Sequence, residues 1–166
     1  MDVLRPMSNP VTTPSGRQCA AARTLLGWHQ AALAEKAKLS AKALSFFETG
    51  KTSIRDSTLE AIEQVFRVAG VTLKEDGGIA LQEDLKPPRG RQYAAARVLL
   101  GWSREDLSDR TNVSAKAIAL FEQGKSTPRN ASLDAFDAAF YLEGITLPEN
   151  GEIVIEAREE SLEAST

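Results

Sequence analysis

The sequence predicts a mainly α-helical chain in which one small unit, four helices followed by a short β-hairpin, occurs twice. Two observations carry this. Shifting the 166-residue chain against itself by 74 positions aligns residues 16–81 with 90–155 without a gap, and about 30 of the 66 pairs are identical. Within each copy, apolar residues recur at helical spacing until VTLKEDGGIAL (71–81) and ITLPENGEIVI (145–155). There the period becomes two, and Asp-Gly and Asn-Gly between β-branched residues signal hairpin turns. The shift is longer than the roughly 20–50 residues of solenoid repeats, so each copy reads as a self-sufficient domain.

The elements follow in order. Ala21, Leu25, Leu26 and Trp28 fit one face of a first helix that ends near Gly27. A second helix starts after His29, or after Ser103 as N-cap in the second copy, and turns Leu33 and Ala37 inward. A third begins after Ser40 or Ser114, runs through Leu44 and Phe47 (Ile118 and Phe121), and stops at Gly50 or Gly124. Helix four starts near Ser57 or Ser132, with Leu59, Ile62 and Phe66 (Leu133, Phe136, Phe140) toward the core. The expected domains are 15–81 and 90–155. Between them lies a stiff linker, 82–89, whose Pro87 and Pro88 favour extended chain, and residues 1–14 and 156–166 read as tails.

Composition narrows the chemistry. One cysteine excludes an internal disulfide, and one histidine makes a zinc site remote. No 18-residue apolar run occurs, and the N-terminal segment lacks the order of a signal peptide, so a cytoplasmic protein, nucleoid-associated when bound, is expected. No paired carboxylates, phosphate-cradling glycine loop or activated nucleophile converge, so neither catalytic residue nor cofactor nor metal is assigned. Trp28 and Trp102 read as core residues. Cys19 gives way to Tyr93 in the second copy, which excludes a repeated thiol function.

Helices two and three are short, joined by about three residues, and the later one opens on a small N-cap, a shape that enters a DNA major groove end first. The runs 28–51 and 102–125, with the pattern L-A-x-x-x-x-x-S-x-x-x-L-x-x-x-E-x-G, resemble the Cro and phage-repressor type of helix-turn-helix domain. This is the lambda-repressor-like fold of the bacterial xenobiotic-response-element-like regulators. The resemblance implies double-stranded DNA as partner, with base edges facing Ser40, Ala41, Lys42 and Ser45 in one copy and Ser114, Ala115, Lys116 and Ala119 in the other. Lysine can donate to guanine, and alanine can lie on a thymine methyl. Phosphate contacts are implied for Gln30 and Arg104 at the start of helix two, and for Lys51, Arg55, Lys125 and Arg129 after helix three. Arg17, Gln18, Arg91 and Gln92 at the start of helix one are further phosphate candidates. Arg23 with Glu48, and Arg97 with Glu122, match a family pair that bridges helix one to helix three. Phe46 and Leu120 depart from the long polar residues usual at their position. Thymine methyls, the core and a protein partner all stand open for them.

The net charge of −3 is unevenly distributed: +2 over 16–81, −2 over 90–155 and −3 over 156–166. The reading that follows is a sequence-specific transcriptional regulator, a repressor before an activator, whose two domains act as an intramolecular pseudo-dimer on two similar half-sites. The alternative is a co-regulator or antiactivator that turns the helix-turn-helix surface toward a protein. A protein partner through the second domain or the hairpins, and a homodimer, stay open. The hairpins could pair across a pseudo-twofold or mediate further dimerisation.

Overall fold

The structure is a computed structural model that describes residues 14–157, so most of both expected tails lies outside the described residues. The first repeat contains α1 (Gly16–Leu26), α2 (Gln30–Lys36), α3 (Ala41–Glu48), α4 (Asp56–Val68), β1 (Val71–Leu73) and β2 (Ile79–Leu81). The second contains α5 (Arg89–Leu99), α6 (Arg104–Thr111), α7 (Ala115–Glu122), α8 (Asn130–Leu142), β3 (Ile145–Thr146) and β4 (Val154–Ile155). Each hairpin is antiparallel, with Val71 opposite Leu81 and Ile145 opposite Ile155. The fold is therefore mainly helical, with two tandem helix-turn-helix units that each end in a small hairpin.

Local chemistry explains the boundaries. Ser15, Ser40, Ser103 and Ser114 accept a hydrogen bond from the backbone N–H three residues on, satisfying a donor that the first helical turn leaves open. Asp106 completes a capping box by accepting from the Ser103 N–H at 2.8 Å. Gly27 and Gly101 stop the first helix of each repeat with φ of 72°. The turn between helices two and three demands the left-handed conformation at Lys38 (φ 58°) and at its equivalent Asn112 (φ 60°). Asparagine tolerates that conformation better than lysine does.

Both repeats contribute to one continuous core. Leu25, Leu33, Leu44, Ile62 and Phe66 are fully buried in the first, and Tyr93, Leu107, Ile118, Phe136 and Phe140 in the second. Trp28 stacks on Phe66 at 6.1 Å and Trp102 on Phe140 at 5.7 Å, so both tryptophans pack as core residues. Cys19 is replaced by a larger side chain in the second repeat. Tyr93 fills that space among Phe121, Phe136 and Phe140 and donates its hydroxyl to Asp137 at 2.5 Å.

The repeats meet through α1 and α5, which pack antiparallel. Arg17 at the start of α1 lies against Gly101 beyond the end of α5, and Arg91 at the start of α5 lies against Gly27 beyond the end of α1. Each guanidinium thus sits at the electronegative end of the other repeat's helix. The hairpins meet on the same axis. Ile79 donates to the Ile153 carbonyl at 2.9 Å, and Ile153 returns a bond to Ile79 at 3.1 Å. Residues 79 and 153 are equivalents at the 74-residue offset, so the axis runs between a residue and its own copy. The segment expected as a linker packs as well: Leu85 lies against the core and Pro87 against Gly151.

Two expectations concern stability. A Cβ on Gly16 would stand 1.9 Å from the Phe47 carbonyl oxygen, and one on Gly90 would stand 2.0 Å from that of Phe121. Gly16→Ala and Gly90→Ala should each cost about 3 kcal/mol, the upper end of overpacking penalties. Gly50→Ala meets no neighbour and should cost about 1 kcal/mol for its left-handed φ alone. Equal losses for the three variants in urea denaturation would refute this account. Burial, reinforced by the charges of Glu48 and Glu63, pushes the Cys19 thiol up to about 12. Burial and the Asp137 hydrogen bond push the Tyr93 hydroxyl to about 12 as well. The unfolded chain ionises at about 8.5 and about 10 at these groups, so it is the state favoured as pH rises. Stability should be intact near neutrality and fall from about pH 9 toward 12, with Cys19→Ala making the early part of that decline shallower.

Candidate nucleic-acid interface

The surface of α3 and α7 is held in place by a carboxylate at the end of each. Glu48 and Glu122 are buried at the last residue of their helices. Arg23 of α1 grips Glu48 with two donors, Nε to Oε2 and Nη2 to Oε1, both at 2.9 Å. Its remaining nitrogen donates to the Trp28 carbonyl at 2.8 Å. Arg97 repeats this on Glu122 and the Trp102 carbonyl. One planar guanidinium therefore fixes the end of helix three to helix one and to the residue that leads into helix two.

The first residue of helix two joins the same carboxylate. Gln30 donates to Glu48 Oε1 and Arg104 Nε to Glu122 Oε1, each at 2.8 Å. Both side chains, assigned to phosphates from the sequence, are thus anchored at one end inside the protein. Arg104 keeps 41% of its side-chain surface exposed, with its terminal nitrogens beyond the bonded Nε. A second repeated contact secures the outer face of helix two, where Lys36 lies over Trp28 at 5.2 Å and Arg110 over Trp102 at 4.1 Å.

The helix-three candidates fall on the outward face. Ser40, Ala41, Lys42, Ser114 and Lys116 are exposed, and Ser45, Ala115 and Ala119 are half-buried. Ser40 and Ser114 use their hydroxyls as N-caps, accepting from Ala43 N at 3.0 Å and Ala117 N at 3.1 Å. Lys51, Arg55, Lys125 and Arg129 are all exposed beyond helix three. The chain closes back there through Lys51 N to the Phe46 carbonyl and Lys125 N to that of Leu120, both 2.8 Å. Phe46 is half-buried, with the ammonium groups of Lys42 and Lys51 over its ring at 5.6 and 5.5 Å.

Four phosphate candidates are placed elsewhere. Gln18 and Gln92 are buried, and their amides latch the hairpin turns. Gln18 donates to the carbonyls of Lys74 (2.8 Å) and Gly78 (3.0 Å), and Gln92 to those of Pro148 (2.7 Å) and Glu152 (2.9 Å). A buried amide that found no such partners would carry a desolvation penalty, which is why these glutamines turn inward. Arg17 and Arg91 are committed to the α1–α5 seam, and Arg17 reaches the Leu100 carbonyl at 3.5 Å. Their repetition in sequence coincides with a repeated contact between the repeats, at which Arg17 stays exposed and Arg91 is half-buried.

The Glu48 web yields a direct expectation. Glu48→Gln removes the charge opposite Arg23 at a site where the glutamate side chain is 3% exposed. It should lower unfolding free energy by about 3–5 kcal/mol, and Glu122→Gln should behave alike. Replacing both partners, as Arg23→Met with Glu48→Leu, should recover part of that loss. A double variant no more stable than Glu48→Gln in denaturant titration would overturn the pairing as the source of the effect.

Among the described residues no helix is long and apolar enough to cross a membrane, and no group of three or more His, Cys, Asp or Glu is placed to hold a metal ion. No curated protein and no solved structure matches the chain. The helix-turn-helix family of the Cro/C1 kind matches residues 20–73 and 94–140, which takes in helices two and three of both repeats. With more than half of its length matched in two segments, each carrying the buried Glu and the exposed helix-three lysine in the same frame, the chain belongs to the helix-turn-helix family of DNA-binding regulators.

Proposed function

We propose that this protein is a sequence-specific transcriptional regulator, acting as a repressor, whose domains 15–81 and 90–155 form an intramolecular pseudo-dimer on two similar half-sites. The observation that carries this is the reciprocal seam. Arg17 meets Gly101 as Arg91 meets Gly27, and Ile79 pairs with its own equivalent, Ile153. An axis of this kind relates α3 to α7, and a twofold arrangement of recognition helices suits inverted half-sites about 34–36 Å apart. Ala41, Lys42 and Ser45, with Ala115, Lys116 and Ala119, read base edges in this proposal. Lys51, Arg55, Lys125, Arg129 and the outer nitrogens of Arg104 neutralise phosphates. Holding both domains on one chain raises the local concentration of the second at its half-site.

The alternative, a co-regulator that docks a protein on the same surface, draws on the −2 charge of residues 90–155 and on the apolar Phe46 and Leu120. Salt separates the two. Releasing counterions from phosphates makes DNA affinity fall steeply with salt, with a slope of about −0.9 per phosphate neutralised. In a gel-shift series on genomic sites captured by the purified chain, Lys42→Ala with Lys116→Ala should weaken binding at least about tenfold. Lys51→Ala should lower affinity alike on all sequences and reduce the salt slope by about one. Unchanged affinity in the double lysine variant would sink the base-reading assignment. Absence of captured DNA together with a co-purifying protein would favour the alternative.

A further inference from the structure

We infer that Phe46 makes the two recognition helices unequal readers, so that the protein selects a quasi-palindrome with one constrained and one relaxed half and occupies it in a single orientation. The inference rests on the DNA-binding reading above. It starts from how little separates α3 from α7. Ala41-Lys42-Ala43 and Ala115-Lys116-Ala117 are identical, Leu44 and Ile118 are both buried, and Phe47-Glu48 returns as Phe121-Glu122. The remaining differences within the helices are adjacent and not fully buried: Ser45 against Ala119, and Phe46 against Leu120.

Those two changes alter the surroundings of a lysine that is itself unchanged. Lys42 holds its ammonium 5.6 Å from the Phe46 ring centroid, and Lys51 brings a second ammonium to 5.5 Å. An aromatic face attracts a cation through its quadrupole, and the aliphatic Leu120 has no such face to offer Lys116 and Lys125. Lys42 is therefore restrained one helical turn from its anchor, whereas Lys116 must be ordered when it meets a base. Ordering a long side chain at an interface subtracts from affinity, so equal lysines on unequal supports discriminate unequally. Ser45 adds a hydroxyl that can donate or accept where Ala119 has only a methyl group. The half-buried Phe46 ring beside Lys42 is also an apolar surface of the kind that suits a thymine methyl. Phe46 is in this respect a positioning residue for Lys42 and Lys51 as well as a contact surface.

Charge points the same way. The repeat with Phe46 carries +2 and the repeat with Leu120 carries −2. A phosphate backbone is drawn more strongly to the first, so the better-supported reader is also the better-attracted one. Arg104 in place of Gln30 offsets part of this difference and strengthens position on the second half without adding sequence information.

The test is selection of bound duplexes from a random-sequence pool with the full chain, in parallel for the native protein, Phe46→Leu, Leu120→Phe and the double variant Ser45→Ala/Phe46→Leu. The native protein should return an inverted repeat in which one half tolerates fewer substitutions. Ser45→Ala/Phe46→Leu should equalise the halves at the relaxed level, and Leu120→Phe should sharpen the relaxed half. On the selected site, Lys42→Ala should cost about tenfold in affinity and Lys116→Ala about threefold, and the two should become equal in a Phe46→Leu background. Circular dichroism and thermal melting establish that each variant is folded, and Leu120→Phe tests the idea in the opposite direction if Phe46→Leu does not fold. Equally constrained halves in the native selection, or half-site profiles that do not move in folded variants, overturn the inference while leaving DNA binding intact. Failure of the native protein to enrich any sequence overturns the DNA-binding reading and this inference together.

Discussion

The antiparallel seam between α1 and α5 is the constraint on which the rest of the arrangement depends. Its chemistry is modest: alanine-rich helices that approach closely, and an arginine from each lying on the glycine that ends the other. The glycines do two jobs. Their left-handed φ ends the helix, and the missing Cβ leaves room for the guanidinium, which would stand 2.5 Å from a Cβ on Gly27. A side chain at either position would both strain the cap and push the arginine off it. Because the seam pairs each residue with the equivalent of its partner, it also carries the hairpins together and brings Ile79 against Ile153.

From the seam inward, placement passes through two polar relays. Gln18 and Gln92 tie α1 and α5 to the hairpin turns, and Arg23 and Arg97 tie the same helices to Glu48 and Glu122. Helix one of each repeat is thus the member that fixes both the hairpin and helix three. Every partner in these relays is charged or an amide, and none is left unsatisfied among the described residues. Such networks are costly when incomplete, and this gives them directional authority that apolar packing lacks.

Much of this was legible in the sequence, and what was not has a common cause. Gly27, Ser40, Ser103 and the Asp-Gly and Asn-Gly turns act on their own neighbours, so their meaning can be read locally. The Arg23–Glu48 pairing is legible only through resemblance, since nothing in the chain between two residues 25 positions apart says that their ends meet. Gln18 and Arg17 make contacts that the sequence does not reveal, because both act over a distance that local pattern does not encode. A polar residue at a helix start reads as solvent-facing unless one knows that a hairpin 56 residues on, or a helix 83 residues on, occupies that space. The left-handed turn at Lys38 is silent in the sequence for a different reason: it carries an asparagine signal only in the other repeat, at Asn112. Phe46 has several possible surroundings on sequence alone, and in the structure its ring lies under the ammonium groups of two exposed lysines.

Packing of the connecting segment, Leu85 on the core and Pro87 on Gly151, has a consequence for how the protein responds to its own abundance. Two separate copies of such a unit would associate with a dissociation constant, and at low numbers per cell most would stand alone. Here α1 and α5 belong to one polypeptide, and the segment that joins the repeats is itself packed. The seam closes by a unimolecular step at any dilution. The population of paired units then rises in proportion to the amount of protein made, without the quadratic threshold of a dimerising pair, and a few molecules suffice for all of them to be in the assembled form.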